Sequence, residues 1–123
     1  MVVKRCLDTY ALMEISQGNK KFMHYLTTPF VITDITLAEF YIVLLRTQGE
    51  RVADYWFKRM TGYAVPVDKE VLREAMKFRH AHRRQRISFF DAVGYIYALK
   101  KGMAFVTGDK EFKDIKGVEF IKK

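Results

Sequence analysis

The sequence predicts an α/β fold, a three-layer α/β/α sandwich around a mostly parallel central sheet of about five strands. Short apolar runs rich in β-branched residues alternate with helical segments along the whole chain. No two predicted strands are joined tightly enough to form a hairpin, so successive strands are expected to be parallel, with helices on both faces. The 123 residues contain no linker, repeat or low-complexity segment. We therefore expect one domain spanning residues 1–123.

The individual elements follow from periodicity and from turn residues. Strands are predicted at residues 2–7, 30–33, 63–67, 103–107 and 118–121. Pro66 places the third strand at an edge of the sheet, because proline cannot donate to a ladder. Helices are predicted at residues 11–25 with a break near Gly18 and Asn19, and at 36–47, 50–60, 68–84 and 88–100, with a single turn at 110–112.

Composition and charge narrow the possible functions. No apolar run approaches the roughly 20 residues needed to cross a bilayer, and the first residues lack the pattern of a secretory leader. The single cysteine, Cys6, cannot form an internal disulfide and is expected to be buried, in keeping with a reducing, cytoplasmic setting. The net charge of +8 fits either a polyanion held through its phosphates or an acidic protein partner.

Four acidic residues stand almost alone in apolar stretches. They are Asp8 in CLDTYALM, Glu39 in ITLAEFYIVLL, Asp91 in ISFFDAVGYIYAL and Asp109 at the end of MAFVTGD. A buried carboxylate is costly unless hydrogen bonds, a cation or a metal compensate for the lost water. Asp8 and Asp109 directly follow predicted strands, whereas Glu39 and Asp91 are expected in the first turns of helices that begin near strand ends. All four should therefore meet outside the carboxyl ends of the strands, where open α/β sheets bind ligands.

Helix capping is the competing interpretation for each acid. The spacing from Thr36 to Glu39 is that of a capping box, and the stretch 88–91 is close to the same pattern. Asp8 and Asp109 could each cap a following helix. Caps can lie at either edge of a sheet, however, so the shared edge favours a common site. Asp34 also follows a strand and is interpreted as an N-cap rather than as part of the site. Glu14 is expected on the solvent face of its helix.

Oxygen ligands without sulfur or imidazole favour hard cations such as Mg²⁺. This ion usually keeps several waters and takes few protein ligands. We expect Asp8 and Asp91 to be direct ligands, and Asp109 to bind directly or through water. Glu39 would hold a water of the ion or orient the nucleophile.

The order LDTYAL, ITLAEF, ISFFDAVGYIYALKKG and FVTGDKEF resembles the PIN domain family, particularly its VapC toxin type, over essentially the whole chain. The resemblance implies a parallel α/β/α sandwich, a Mg²⁺- or Mn²⁺-dependent ribonuclease, a homodimer and a small antitoxin that covers the acidic pocket. The acidic quartet that it implies is Asp8, Glu39, Asp91 and Asp109. Thr9 and Thr107 match hydroxyl positions beside the site, where they would fix carboxylate rotamers or act as ordinary turn hydroxyls. Asp34 departs from the family, which has a small or hydroxyl residue there.

The basic stretch KFRHAHRRQR at residues 77–86 leads directly into the helix of Asp91. It could grip RNA phosphates, with Arg84 and Arg86 as the best candidates. Alternatively, it is the solvated end of a helix, where cations are favoured in any case.

Two other classes of protein compete with the ribonuclease. A non-catalytic PIN-like module would bind RNA or protein without cutting, but would usually lack part of the quartet. A receiver or phosphatase domain would need an acidic pair or D-x-D after its first strand, and this chain has Asp8-Thr9-Tyr10 there. Neither G-x-G-x-x-G nor G-x-x-x-x-G-K-[ST] occurs, which argues against a nucleotide cofactor. The sequence therefore favours a metal-dependent ribonuclease.

Overall fold

A computed structural model describes residues 4–123 and contains one sheet of five strands. The strands are β1 (Arg5–Leu7), β2 (Phe30–Thr33), β3 (Ala64–Val65), β4 (Ala104–Thr107) and β5 (Val118–Phe120). Their order is β3-β2-β1-β4-β5, and every neighbouring pair is parallel. The predicted α/β fold with a parallel sheet is confirmed, and β3 lies at the edge that Pro66 predicted. Residues 2 and 3 of the first predicted strand lie outside the described residues.

In the part of the chain that the structure describes, six helices connect the strands. They are α1 (Thr9–Ser16), α2 (Lys20–Met23), α3 (Asp34–Gln48), α4 (Glu50–Met60), α5 (Lys69–Ala81) and α6 (Phe89–Lys100), with 3₁₀ turns at His24–Thr27, Thr61–Tyr63 and Lys110–Phe112. Gly18 has a positive φ of 77° and produces the predicted break before α2. The prediction that the fifth helix runs to about Arg84 was wrong. Its helical backbone ends at Ala81, because His82 leaves the helical region and begins a turn.

The start of α3 corrects a second prediction. Thr33, not Asp34, is the N-cap: its backbone is extended and its Oγ1 accepts a hydrogen bond of 3.0 Å from the Thr36 N–H. Asp34 is the exposed first residue of the helix, where the helix dipole favours a negative charge. Glu39 consequently lies in the second turn of α3 rather than in the first.

The core has two halves, one on each face of the sheet. Alternate strand residues point to opposite faces. Leu7, Ile32 and Val106 pack with α1, α3 and α4, and Cys6, Val31 and Phe105 pack with α5 and α6. Helix α6 approaches the sheet closely at Gly94, where an added Cβ would lie 2.9 Å from Phe105 Cε1. Cys6 is buried and unpaired, as predicted. Within residues 4–123, no helix combines the length and the apolar character that a membrane crossing requires.

Glu14 contradicts the prediction of a solvent-facing side chain, since only 7% of its surface is exposed. Its Oε1 accepts a hydrogen bond of 2.8 Å from Asn19 Nδ2, and its Oε2 lies 3.7 Å from Lys123 Nζ. These partners compensate for the burial of the carboxylate. Asn19 and Lys123 both lie outside α1, so the periodicity of that helix could not indicate that Glu14 is buried.

Candidate functional site

The carboxyl ends of β1 and β4 place the first pair of acids side by side. These strands are neighbours, and the Asp8 N–H donates a hydrogen bond of 3.1 Å to the Val106 carbonyl. Asp109 follows β4 after one glycine, and its N–H donates to the buried Thr107 Oγ1 at 3.0 Å. The hydroxyl of Thr107 therefore holds the backbone of Asp109 at the end of the strand.

Helices α3 and α6 supply the second pair. Asp91 lies in the first turn of α6, where its N–H donates to Ser88 Oγ at 3.1 Å. Glu39, on α3, accepts a hydrogen bond from Thr9 Oγ1. Thr9 directly follows Asp8, so this bond joins α3 to the end of β1. All four acids line one cavity of about 720 Å³ at the carboxyl edge of the sheet.

Capping accounts for part of this arrangement. One oxygen of Asp8, Oδ1, accepts from the Ala11 N–H at 2.8 Å and caps α1. Asp109 Oδ1 accepts from the Glu111 N–H at 3.0 Å and caps the last 3₁₀ turn. Glu39 lies inside its helix, and α6 is capped by Ser88 rather than by Asp91. Capping therefore explains neither Glu39 nor Asp91.

The other oxygen of Asp8 has no such explanation. Asp8 is only 1% exposed, and within residues 4–123 its Oδ2 is buried without any hydrogen-bond partner. Buried polar atoms are almost always paired, so an unpaired carboxylate oxygen requires a reason. A cation in the adjoining cavity would supply the missing partner.

The electrostatics of the site point to the same need for positive charge. Burial, followed by the charge of Asp91, raises the pKa of Asp8 well above its ordinary value. Burial also raises the pKa of Asp91 to about 7, with further contributions from the charges of Glu39 and Asp109. For Glu39, burial raises the pKa, although the hydrogen bond from Thr9 opposes the shift. Without a counter-charge these carboxyl groups resist ionising together.

The donor set fits Mg²⁺ or Mn²⁺ rather than a softer metal, because the acids at the cavity offer only oxygen. In the described part of the chain, no three His, Cys, Asp or Glu side chains form a ready-made ligand cage. Mg²⁺ often binds through one or two carboxylates and retains several waters. The unpaired Asp8 Oδ2, together with Asp91 in the lining of the same cavity, supplies the two carboxylates that such an ion needs.

Several residues of the cavity were missed by the sequence analysis. Its walls also contain Tyr10, Phe120 and the lysines Lys110, Lys113, Lys122 and Lys123. Neither Arg84 nor Arg86 belongs to the described walls, and both are exposed. The backbone N–H of Arg86 donates to Glu111 Oε1 at 3.2 Å, which places Arg86 beside the last 3₁₀ turn. The signal that was overlooked is the run of lysines after Asp109 in the sequence DKEFKD.

A five-stranded parallel sheet with an acidic cavity at its carboxyl edge defines a class of α/β domain with a candidate metal site. The chain belongs to the PIN domain family, whose sequence profile matches residues 5–118. No curated protein sequence matches the chain.

Solved structures share this fold at low sequence identity. The sarcin-ricin loop cleaving toxin VapC20 of Mycobacterium tuberculosis is 19% identical, with a TM-score of 0.79 over 96% of this chain and 98% of that chain. VapBC2 of Rickettsia felis, bound to a DNA fragment from its promoter, is 14% identical, with a TM-score of 0.77 over 98% and 99%. A toxin–antitoxin complex of Klebsiella pneumoniae is 17% identical, with a TM-score of 0.74 over 97% and 99%.

Proposed function

We propose that the protein is a divalent-metal-dependent endoribonuclease that hydrolyses RNA phosphodiester bonds. The observation that carries the proposal is the convergence of four carboxyl groups on one cavity, one of them with an unpaired buried oxygen. Membership of the PIN domain family supports the nuclease class. The positive net charge of the chain, +8, favours the binding of a polyanionic substrate.

The metal in this proposal is Mg²⁺ or Mn²⁺. Asp8, through its free Oδ2, and Asp91 are assigned as direct ligands, and Asp109 binds directly or through water. When bound, the ion polarises the scissile phosphate, lowers the pKa of the attacking water and neutralises charge on the leaving oxygen.

The remaining side chains orient the reacting groups. Glu39 is held by the Thr9 hydroxyl at the cavity wall, where its carboxylate can orient the attacking water and accept its proton. Its raised pKa keeps it a stronger base than an exposed glutamate. Thr107, through the backbone of Asp109, fixes where that carboxylate stands.

The biological setting that we propose is the toxin of a VapBC-type toxin–antitoxin pair, acting as a homodimer in the cytoplasm. Structures of such pairs from Rickettsia felis and Salmonella typhimurium share the fold over 98% and 99% of this chain. A small antitoxin that covers the acidic cavity is the expected partner. In this proposal, residues 1–123 form a single PIN-like domain.

The proposal is tested with purified protein on end-labelled structured and single-stranded RNAs, in Mg²⁺, Mn²⁺ or EDTA. We expect divalent-dependent cutting that Asp8→Asn abolishes. Asp34→Asn is the matched control, because Asp34 lies near the same edge of the sheet but is exposed and absent from the cavity walls within residues 4–123. RNA binding without cutting under every metal condition would instead support the non-catalytic module.

A further inference from the structure

The cavity has a second half that the proposed chemistry does not use. Besides the acids, two aromatic rings line the cavity, those of Tyr10 and Phe120, and both are partly exposed. Four exposed lysines complete this half: Lys110, Lys113, Lys122 and Lys123. An apolar ring surface beside several cations is the combination that single-stranded nucleic-acid binders use.

The two rings are held by the same backbone that positions the acids. Tyr10 follows Asp8 by two residues and packs against Phe22 at a ring-centroid distance of 6.0 Å. It also covers Gly108, where an added Cβ would collide with Tyr10 Cε1. Phe120 is the register partner of Thr107 at the end of β4. The Tyr10 ring and the backbone of Phe120 are therefore held in place beside the strand ends that carry Asp8 and Asp109.

The lysines lie on two segments that flank the cavity. Lys110 is the first residue of the 3₁₀ turn that Asp109 caps, and Lys113 directly follows that turn. Lys122 and Lys123 follow β5, and this segment is tied down at two points. The Ile121 N–H donates to the Thr107 carbonyl at 2.9 Å, and Lys21 Nζ donates to the Lys122 carbonyl at 3.3 Å.

Three of these cations are free to bind an external anion. Within residues 4–123, no carboxylate lies within 4.0 Å of the ammonium groups of Lys110, Lys113 or Lys122. Lys123 differs, because its ammonium group lies 3.7 Å from the buried Glu14. Lys123 thus holds the segment in place. The other three lysines line the cavity and form no ion pair within the described residues.

We propose that this half of the cavity is a subsite for one unpaired nucleotide next to the scissile bond. Its base stacks on Tyr10 and Phe120, and its phosphates contact Lys110, Lys113 and Lys122. The proposal rests on the assigned ribonuclease function and adds the residues that select the substrate. A base inside a duplex cannot offer its face to the rings, so the subsite selects unpaired RNA. The cavity of about 720 Å³ lies within the range of pockets that enclose small organic ligands.

The aromatic part is tested by binding in EDTA, where cleavage does not interfere. The probe is a fluorescein-labelled single-stranded RNA of about eight nucleotides, compared with a duplex of the same sequence by anisotropy. We expect Tyr10→Leu and Phe120→Leu each to weaken single-strand binding roughly five- to tenfold, and Tyr10→Phe to leave it unchanged. Tyr55→Leu is the matched control, because Tyr55 is 57% exposed and is not among the described residues that line the cavity.

The lysine part is tested by the salt dependence of the same affinity. Lys110→Gln/Lys113→Gln should reduce the slope of log affinity against log salt by about 0.7 for each phosphate that the variant no longer neutralises. The charge-matched control is Lys58→Gln/Lys69→Gln, since both residues are exposed on other helices. Thermal melts of each variant separate loss of binding from loss of folding.

The outcomes separate this inference from the ribonuclease proposal. Unchanged affinity in both leucine variants, or equal affinity for duplex and single strand, would overturn the subsite even if the enzyme cuts RNA. Loss of binding in these variants of a protein that cuts under no metal condition would keep the subsite and reject the nuclease. Competition by poly-glutamate as effective as by RNA would assign the lysines to an acidic protein partner and overturn the subsite.

Discussion

The substitution Asp91→Asn distinguishes a metal ligand from a structural acid. It removes one charge from the crowded carboxyl groups and keeps the shape of the side chain. If Asp91 serves the metal, cleavage should disappear while the metal-free protein becomes equally or more stable. If Asp91 instead stabilises the start of α6, the metal-free protein should lose stability.

The size of the effect follows from the pKa of Asp91, which burial raises from 3.8 to about 7. A shift of about three units corresponds to about 4 kcal/mol of destabilisation above pH 7, where the charged form must be buried. Asp91→Asn removes this destabilisation. The substitution also removes a favourable negative charge from the first turn of α6, which costs about 1 kcal/mol. The net gain is at most about 3 kcal/mol, or roughly 10 °C in Tm for a domain of this size.

The pH dependence has a definite sign. Between about pH 4 and pH 7 the folded protein binds a proton at Asp91 that the unfolded chain has already lost. The free energy of unfolding of the metal-free protein should therefore fall as pH rises through this window, and the variant should lack the part of that fall that Asp91 contributes. Above about pH 7 Asp91 is ionised in the folded protein as well, so the stability difference between Asp91→Asn and wild type has reached its full size.

The assay is thermal unfolding in EDTA at pH 5 and pH 8. Wild type, Asp91→Asn and the control Asp34→Asn are compared, because Asp34 also lies in a first helical turn but is exposed. We expect the control to be slightly less stable than wild type at both pH values. A Tm of Asp91→Asn several degrees below wild type at pH 8 would refute the reasoning.

Three further predictions concern the neighbours of the acids. Thr9→Val removes the hydrogen bond to Glu39 and should slow cleavage about 10- to 100-fold in initial-rate assays, while Thr9→Ser should retain most of the rate. Gly108→Ala forces the Tyr10 ring to move and should lower the free energy of unfolding, measured in urea, by about 1–3 kcal/mol. Gly62→Ala is the control and should leave this free energy unchanged, because a Cβ added at Gly62 meets no atom within 4 Å. Mg²⁺ at a hundredfold excess over its Kd should stabilise wild type by about 3 kcal/mol at pH 8, and an equal rise in Asp8→Asn would contradict the assigned ligand.

The part of the site that lies on single elements could be predicted from the sequence. Asp8 and Asp109 follow apolar strands and Asp91 follows a helix cap, so their common edge is a consequence of parallel topology. The start of α3 could not be placed to the residue, because Thr33 and Asp34 are both good N-cap residues and only the backbone angles decide between them.

Features that depend on distant segments could not be predicted. Phe120 and Lys122 reach the cavity because β5 pairs with β4, and three residues of alternating pattern carry little information about register. Glu14 is buried because Asn19 and Lys123 satisfy it, which no helical periodicity reveals. The arginines after α5 are close to Asp91 along the chain, but a turn at residues 82–85 separates α5 from α6, and neither Arg84 nor Arg86 is among the described residues that line the cavity.

The most direct test of the account is anomalous diffraction from crystals of the protein grown with Mn²⁺. We expect a peak in the acidic cavity, in contact with Asp8 Oδ2 and the carboxylate of Asp91, that is absent from crystals of Asp8→Asn. Mn²⁺ bound only elsewhere, or no peak at an ion concentration that supports RNA cleavage, would contradict the claim that these carboxylates share a divalent ion.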